Sequence, residues 1–217
     1  MTDMKIGVLT AMDKEFRLVS ELAGKQDNIV VRASGIGKVN AAVAAYKLIA
    51  EEKVDAIINT GCAGGVDPLV KIGDVVIGSA CAYHDVWCGV ENEAGQIQGL
   101  PVLFDAEPML LRKIAMEFGA DPKVHIGTIC TGDQFLETAE DDARVKKVRP
   151  DALACDMEAT AIAQVCYKLG VPFIAYKVIS DVHYAGADKA VQQYDNFWGN
   201  LADESFGVLE RLFKAVA

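Results

Sequence analysis

Short runs rich in β-branched residues alternate along this chain with longer stretches rich in Ala and Leu, and this alternation constrains the fold more than any other feature. Continuous apolar strands that are separated by helices are typical of a sheet covered on both faces. The sequence therefore predicts an α/β fold. The predicted strands are residues 6–10, 29–33, 56–60, 75–78, 124–130 and 173–179.

Most of the longer stretches place apolar residues three and four positions apart, which is the spacing of an amphipathic helix. A less regular segment at 82–107 contains Trp87 and Cys88 among glycines, and long loops of this kind usually form a functional or contact surface. No linker composition divides the chain, so residues 1–217 are expected to form a single domain. The predicted helices are residues 14–23, 39–52, 108–118, 139–147, 159–169 and 196–215.

Acidic residues outnumber basic residues by 31 to 21, which gives the 217-residue chain a net charge of −10 and an isoelectric point of about 4.8. Proteins that bind nucleic acid concentrate Lys and Arg on one face, and the sequence contains no such cluster. No apolar run approaches the ~20 residues that cross a bilayer, and no basic and then apolar leader is present. We therefore expect a cytoplasmic protein with neither a nucleic-acid partner nor a membrane partner.

The six cysteines lie in apolar or strand-like contexts, and none of them forms a CxxC pair. Their spacing to the three histidines does not match a zinc site. We expect reduced cysteines packed in the core, no metal site and no cofactor. The cysteines are Cys62, Cys81, Cys88, Cys130, Cys155 and Cys166.

Glycine-rich segments follow three strand-like runs, at residues 34–38 (SGIGK), 60–65 (TGCAGG) and 131–133 (TGD). Each could be an ordinary tight turn, but three of them on neighbouring strand ends favour a floor for a flat ligand. The first segment matches neither a P-loop nor a dinucleotide-binding fingerprint. Lys38 is therefore expected to begin a helix and to be solvated.

Acidic side chains stand at three positions where an α/β sheet could use them. Glu158 begins an Ala-rich helix, whose N-terminus should keep it ionised and able to accept hydrogen bonds from two vicinal hydroxyls. Asp181 follows Ser180 at the end of an apolar strand, where it could bind a ligand or cap the next segment. Glu15 follows the first strand and is either a catalytic base or a solvated acid in the first turn of a helix.

Six ordered motifs contain these glycines and acids: residues 5–15 (KIGVLTAMDKE), 34–39 (SGIGKV), 59–65 (NTGCAGG), 131–135 (TGDQF), 156–160 (DMEAT) and 179–181 (ISD). Together they resemble the 5′-methylthioadenosine/S-adenosylhomocysteine nucleosidases of the nucleoside phosphorylase superfamily. The resemblance implies a three-layer α/β/α sandwich with a mixed, twisted central sheet. It also implies a purine nucleosidase of methionine salvage, which hydrolyses the N-glycosidic bond of adenine thioribosides.

The same resemblance implies a role for each matching residue. Glu15 would orient and deprotonate the attacking water, and Asp181 would deliver or share a proton at adenine N7 with the help of Ser180. Met157 and Glu158 would hold the ribose hydroxyls. The other expected substrate contacts are Met12, Cys62, Ala63, Gly64, Phe135, which would stack on the base, and Leu136, whose backbone would meet the Watson–Crick edge.

The resemblance further implies a homodimer, which would cover the apolar segment around Val86 and Trp87. Three positions depart from the family's usual pattern: Cys62 replaces Ser, Asp156 replaces Glu and Lys177 replaces Arg. The segment at residues 83–100 also aligns only in part, so the 5′ substituent of the substrate stays open.

Other functions are compatible with parts of this sequence. A purine nucleoside phosphorylase would need arginines around a phosphate, which a carboxylate such as Glu15 would repel. A futalosine or aminofutalosine hydrolase would keep the chemistry and change the 5′ substituent. A binding module without catalysis would have lost an acid or a base, yet Glu15 and Asp181 are both present.

Overall fold

The computed structural model describes residues 4–24, 26–183, 187–200 and 202–216, in which strands and helices alternate as predicted. The strands are β1 Ile6–Thr10, β2 Ile29–Ala33, β3 Ala56–Gly65, β4 Val75–Tyr83, β5 Phe104–Asp105, β6 Val124–Thr131, β7 Ala152–Asp156 and β8 Phe173–Val182. The helices are α1 Asp13–Ala23, α2 Lys38–Ala50, α3 Pro108–Phe118, α4 Ala139–Val148, α5 Ala159–Leu169, α6 Ala187–Asn200 and α7 Ala202–Val216.

The strands form one mixed sheet in the order β2-β1-β3-β7-β6-β4-β5, and β8 pairs with both β3 and β4. β8 is parallel to β3 and antiparallel to β4. Gly64 and Gly65 at the end of β3 pair antiparallel with the end of β7. The five strands β3, β8, β4, β6 and β7 therefore form a closed ring of paired strands. The carboxyl ends of strands that run in opposite directions therefore meet at one place.

Helices cover both faces of the sheet, and the predicted three-layer architecture is confirmed. One core lies between the sheet and α1, α3, α6 and α7, where Phe213 is fully buried. The other lies between the sheet and the pair α2 and α5, where Ile162 is fully buried. Within β8, Tyr176 faces the first core and Ala175 faces the second, because neighbouring strand residues point to opposite faces.

Two of the predicted glycine turns differ in the structure. Residues 61–65 belong to β3, which is longer than predicted, so these glycines lie inside a strand. The turn at 131–133 follows β6, which is not a neighbour of β2 or β3, so the glycine segments do not lie on adjacent strand ends. The segment at 82–107 is also more regular than predicted, because β4 extends to Tyr83 and pairs with β5.

The prediction of a helix at 196–215 is confirmed wherever the structure describes this range, in α6 up to Asn200 and in α7 from Ala202, while residue 201 lies outside the described residues. The helical residues begin earlier than predicted, because α6 already includes Ala187. None of the helices in the described ranges is both long and apolar enough to cross a bilayer.

The predicted environments of Cys88 and Lys38 are wrong. All six cysteines are free, but Cys88 is exposed and Cys62 is partly exposed, while the others are buried. Lys38 begins α2 as predicted, yet its Nζ lies 2.7 Å from Asp85 Oδ2 and 3.7 Å from Asp133 Oδ2. It is therefore paired with acids from two loops and is not a freely solvated cation.

Candidate active site

A cavity of about 390 Å³ opens where the ends of β1, β3, β7 and β8 meet. Its wall contains every residue that the sequence predicted for the site: Met12, Glu15, Cys62, Ala63, Gly64, Phe135, Leu136, Met157, Glu158, Ser180 and Asp181. Sequence reasoning did not assign Ile36, His183 and Tyr194, which lie in the same wall. A volume of this size suits a small molecule such as a nucleoside.

Glu15 lies in the first turn of α1 and is 1% exposed. Its Oε2 accepts hydrogen bonds from the backbone N–H of Ala11 at 2.9 Å and Met12 at 3.0 Å, and its Oε1 accepts one from Cys62 N–H at 2.8 Å. Burial raises the pKa of Glu15, although Lys177 and these N–H donors oppose the rise. The result is a fixed carboxylate with a higher proton affinity than usual, which suits a general base.

Gly61 allows the Glu15 carboxylate to approach the strand so closely. A Cβ at Gly61 would lie 2.6 Å from Glu15 Oε1, and the glycine has a φ of +139°. Any side chain at this position would displace the carboxylate from its N–H donors. Gly61 therefore leaves room for the Glu15 carboxylate, whereas Gly64 of the same segment lies in the cavity wall.

Glu158 is the N-cap residue of α5, and its Oε1 accepts a hydrogen bond from Gly37 N–H at 2.9 Å. Burial and the neighbouring charge of Asp156 raise its pKa to about 7, even though Lys177 and Gly37 act in the opposite direction. The helix N-terminus was expected to keep Glu158 ionised, and its burial and the charge of Asp156 act against that effect.

Lys177 and Asp156 form an ion pair of 2.8 Å in which each side chain is 1% exposed. Asp156 also accepts hydrogen bonds from Thr131 Oγ1 at 2.5 Å and from Ala159 N–H at 2.9 Å. Burial lowers the pKa of Lys177, but Asp156, Glu158 and Glu15 more than compensate and raise it above its usual value. A permanent positive charge therefore lies beneath the acids of the cavity.

Ser180 and Asp181 lie near the end of β8, where a bulge in the pairing with β3 leaves Ser180 without a partner residue. Ser180 Oγ donates a hydrogen bond of 2.6 Å to Asp181 Oδ1. His183 Nε2 lies 2.8 Å from Asp181 Oδ2, and its Nδ1 lies 2.6 Å from Asp142 Oδ1. Bulges re-aim side chains beside active sites, and this one directs the acid toward the cavity.

Aromatic side chains form one side of the cavity. Phe135 is 48% exposed, and its ring meets the edge of Tyr194 with centroids 6.2 Å apart. Tyr194 donates a hydrogen bond from its hydroxyl to Met12 Sδ at 3.0 Å. An exposed ring at a pocket entrance can stack on a flat base.

The Cys62 thiol also bears on the chemistry. Burial and the charge of Glu15 raise the pKa of the Cys62 thiol, so this residue is a neutral part of the wall and not a thiolate nucleophile. Within the described ranges there is no cluster of three or more His, Cys, Asp or Glu residues that could hold a metal ion. The described lining residues include neither Arg nor Lys.

Comparisons with known proteins agree with this geometry. A sequence profile of the phosphorylase superfamily matches residues 5–214. A 5′-methylthioadenosine/S-adenosylhomocysteine nucleosidase of Staphylococcus aureus is 35% identical over 208 residues, which cover 87% of this chain and 91% of that protein. The crystal structure of such a nucleosidase from Colwellia psychrerythraea, in complex with adenine, superimposes with a TM-score of 0.88 at 30% identity, covering 99% of this chain and 96% of that one.

A futalosine hydrolase mutant of Helicobacter pylori is more distant in sequence. It is 24% identical, with a TM-score of 0.86 over 98% of each chain. At this identity the likeness shows a shared fold and nothing about the substrate.

Proposed function

Because this chain belongs to the phosphorylase superfamily, and within it to the 5′-methylthioadenosine/S-adenosylhomocysteine nucleosidases, we propose that it hydrolyses the N-glycosidic bond of these adenine thioribosides. The observation that carries the proposal is the cavity itself, because three acids converge in it. They are Glu15, whose carboxylate is held by backbone N–H groups, Glu158 and Asp181. Adenine and a free thioribose are the products of this reaction.

Each acid has a distinct task in the proposed mechanism. Glu15 takes a proton from water, whose oxygen bonds to the anomeric carbon. Asp181 delivers a proton to adenine N7 as the electrons of the glycosidic bond move onto the base. Glu158, with Met157, holds the ribose hydroxyls, and each hydrogen bond to the charged carboxylate contributes about 1.5–3 kcal/mol. Phe135 stacks on the base, and the Leu136 backbone meets its edge.

Water rather than phosphate is the proposed nucleophile. A phosphorylase needs cations at the place where phosphate binds, and the described lining residues of this cavity include no Arg or Lys. Lys177 lies beneath the cavity, but it is 1% exposed and paired with Asp156. The buried carboxylate of Glu15 would repel a phosphate dianion.

The substrate is tested by supplying methylthioadenosine, S-adenosylhomocysteine and futalosine separately and measuring kcat/KM for release of the base. We expect adenine from at least one of the first two at a kcat/KM well above that for futalosine. A preference for futalosine would contradict the proposed substrate while leaving the glycosidic chemistry intact.

The ionisation of Glu158 predicts a pH dependence of substrate binding. Only the charged carboxylate accepts both ribose hydroxyls, and its pKa of about 7 means that this form predominates above pH 7 and is lost below it. We expect KM for methylthioadenosine to rise about tenfold between pH 8 and pH 6. Glu158→Gln should have a high KM that is flat across this range, whereas a wild-type KM that does not change would contradict the assignment.

We also propose that the chain forms a homodimer through an apolar surface on α2 and the neighbouring loop that contains Trp87. On α2 the side chains of Val39, Val43 and Tyr46 are 74%, 50% and 56% exposed, and they follow the three- and four-residue spacing of one helix face. Trp87 lies in the neighbouring loop and is also exposed. A second copy of the chain would bury this continuous apolar stripe.

Sedimentation of the wild type at micromolar concentration is expected to show a species of twice 23.3 kDa. Val43→Glu should shift it to the monomer, because a charge in the centre of an apolar interface is costly to desolvate. Met116→Glu is the matched control, since Met116 is exposed on α3 on the opposite side of the sheet. A wild type that sediments only as a 23.3 kDa species would refute the dimer.

A further inference from the structure

One histidine in the cavity wall has both ring nitrogens directed at carboxylates. His183 Nδ1 lies 2.6 Å from Asp142 Oδ1, and Nε2 lies 2.8 Å from Asp181 Oδ2. An ionised carboxylate only accepts hydrogen bonds, so both ring nitrogens must carry a proton to make both bonds. The geometry is therefore that of an imidazolium between two acids.

The surroundings hold this ring firmly. His183 is 1% exposed, and Asp142 reaches it from the first turn of α4. Gly64 makes room for it, because a Cβ at that position would lie 2.6 Å from His183 Cε1. Burial lowers the pKa of His183, but the two aspartates more than compensate and raise it to about 9.

Asp181 has hydrogen-bond donors on both of its oxygens. Oδ1 accepts from Ser180 Oγ at 2.6 Å, and Oδ2 faces the protonated Nε2 of His183. When both neighbours donate in this way, the carboxylate of Asp181 is only an acceptor, and a proton that it passes on must first be received from one of them. Of the two donors, only the imidazolium of His183 is acidic enough to give up its proton, because the Ser180 hydroxyl is a far weaker acid.

We propose that His183 is the positioning residue that supplies, through Asp181, the proton which the leaving purine receives, with Asp142 holding the imidazole in place. This inference rests on the proposed nucleosidase function and deepens it. It assigns a chain of three side chains, Asp142, His183 and Asp181, to a step that otherwise needs a protonated Asp181.

The protons balance in this scheme. The proton on His183 Nε2 moves to the Asp181 carboxylate and from there to N7, while the glycosidic electron pair moves onto the purine, which leaves as neutral adenine. Water gives its hydroxide to the anomeric carbon and its proton to Glu15. His183 remains as a neutral imidazole whose Nδ1–H still donates to Asp142. Transfer of one proton from Glu15 to His183 through solvent restores the enzyme.

The titratable groups around His183 define what a pH profile can report. Asp142 and Asp181 are the charges in contact with its ring. The other titratable groups among the described residues of this cavity are Glu15 from α1, Cys62 from β3, Glu137 before α4, Cys155 and Asp156 from β7, Glu158 before α5 and Tyr194 from α6. Burial raises the pKa of Glu158 to about 7 and that of Tyr194 to about 12, so neither titrates near pH 9.

The test compares kcat for methylthioadenosine from pH 5.5 to 10 in the wild type and in His183→Gln. Wild-type kcat is expected to fall above about pH 9, where His183 loses its proton. The variant should be at least about tenfold slower than the wild type at pH 8. At pH 5.5 the loss should shrink to about threefold or less, because hydronium is about 300 times more concentrated than at pH 8 and replaces the missing proton donor.

Two further variants complete the comparison. Asp142→Asn removes a carboxylate that keeps His183 charged, so the alkaline limb should move to lower pH by about one unit or more. His125→Gln is the matched control, because His125 Nε2 likewise lies 3.0 Å from a carboxylate, that of Asp74, but lies outside the cavity. The control should keep the wild-type profile.

A structural role predicts a different result. If His183 only joins α4 to β8, His183→Gln will lose the same factor at every pH or nothing at all, and either result would overturn the proposal. Should the variant fail to fold, ¹⁵N-histidine NMR of the wild type and Asp142→Asn decides the matter. The proposal requires that one of the three histidines of the wild type stays protonated to about pH 9. If all three histidines lost their protons below pH 7, the proposal would be refuted.

Failure of the proposed function gives a separate signature. A wild type that releases no adenine refutes the nucleosidase function and with it the catalytic part of this inference. A wild type that releases adenine, with an unchanged pH profile in His183→Gln, refutes the inference alone.

Discussion

Asp181→Asn is expected to bind the nucleoside and to lower kcat by a factor of about 10²–10⁴, the usual contribution of a general acid. The amide keeps the shape of the carboxyl group, but it cannot receive a proton from His183 or pass one to N7. The measurement is adenine release at saturating methylthioadenosine, together with KM. Little change in KM is expected, because the ribose contacts of Glu158 do not depend on Asp181.

Asp105→Asn is the control for this variant, since Asp105 is an exposed carboxylate on the edge strand β5, away from the cavity. It should retain the wild-type rate. An Asp181→Asn variant that keeps more than a tenth of wild-type kcat would remove Asp181 from the mechanism.

Glu15→Gln is expected to lower kcat for hydrolysis by a factor of about 10²–10⁴. The amide is not a base at neutral pH, and its NH₂ group would face at least one of the N–H donors that now bind the carboxylate, from Ala11, Met12 and Cys62. Loss of a positioned base should cost about 3–5 kcal/mol of transition-state stabilisation. Affinity for a cationic ribose mimic, measured by calorimetry, should fall less than the rate, because Phe135 and Glu158 are unchanged.

Glu21→Gln is the matched control, because Glu21 is exposed on the same helix, α1. Its rate should equal that of the wild type. A Glu15→Gln variant that hydrolyses methylthioadenosine at a near-normal rate would show that another group activates the water.

Local sequence patterns predicted most of the fold, and the errors have physical reasons. β1, β2, α3 and α5 begin and end where the sequence placed them, because β-branched runs and helical spacing are strong local signals. β7 was not predicted because Ala152–Asp156 (ALACD) lacks β-branched residues. It forms a strand through pairing with β6 and β3, which are distant in sequence.

The site shows the same division between local and distant information. The motifs identified the acids and the aromatic ring, and the structure brings those residues into one cavity. The ionisation of Glu158 depends on its burial and on Asp156 and Lys177, which no local pattern reveals. His183 was missed because its proposed role depends on its contact with Asp142, which is 41 positions away in the chain. A histidine just after a Ser-Asp pair was the one available signal.

The central claim, that the cavity hydrolyses a glycosidic bond with water, is tested most directly by identifying the sugar product. The wild type is incubated with methylthioadenosine in the presence and absence of phosphate, and both products are analysed by mass spectrometry. We expect adenine and free methylthioribose at the same rate in both samples. Methylthioribose 1-phosphate in the phosphate sample, or no adenine in either sample, would contradict the account.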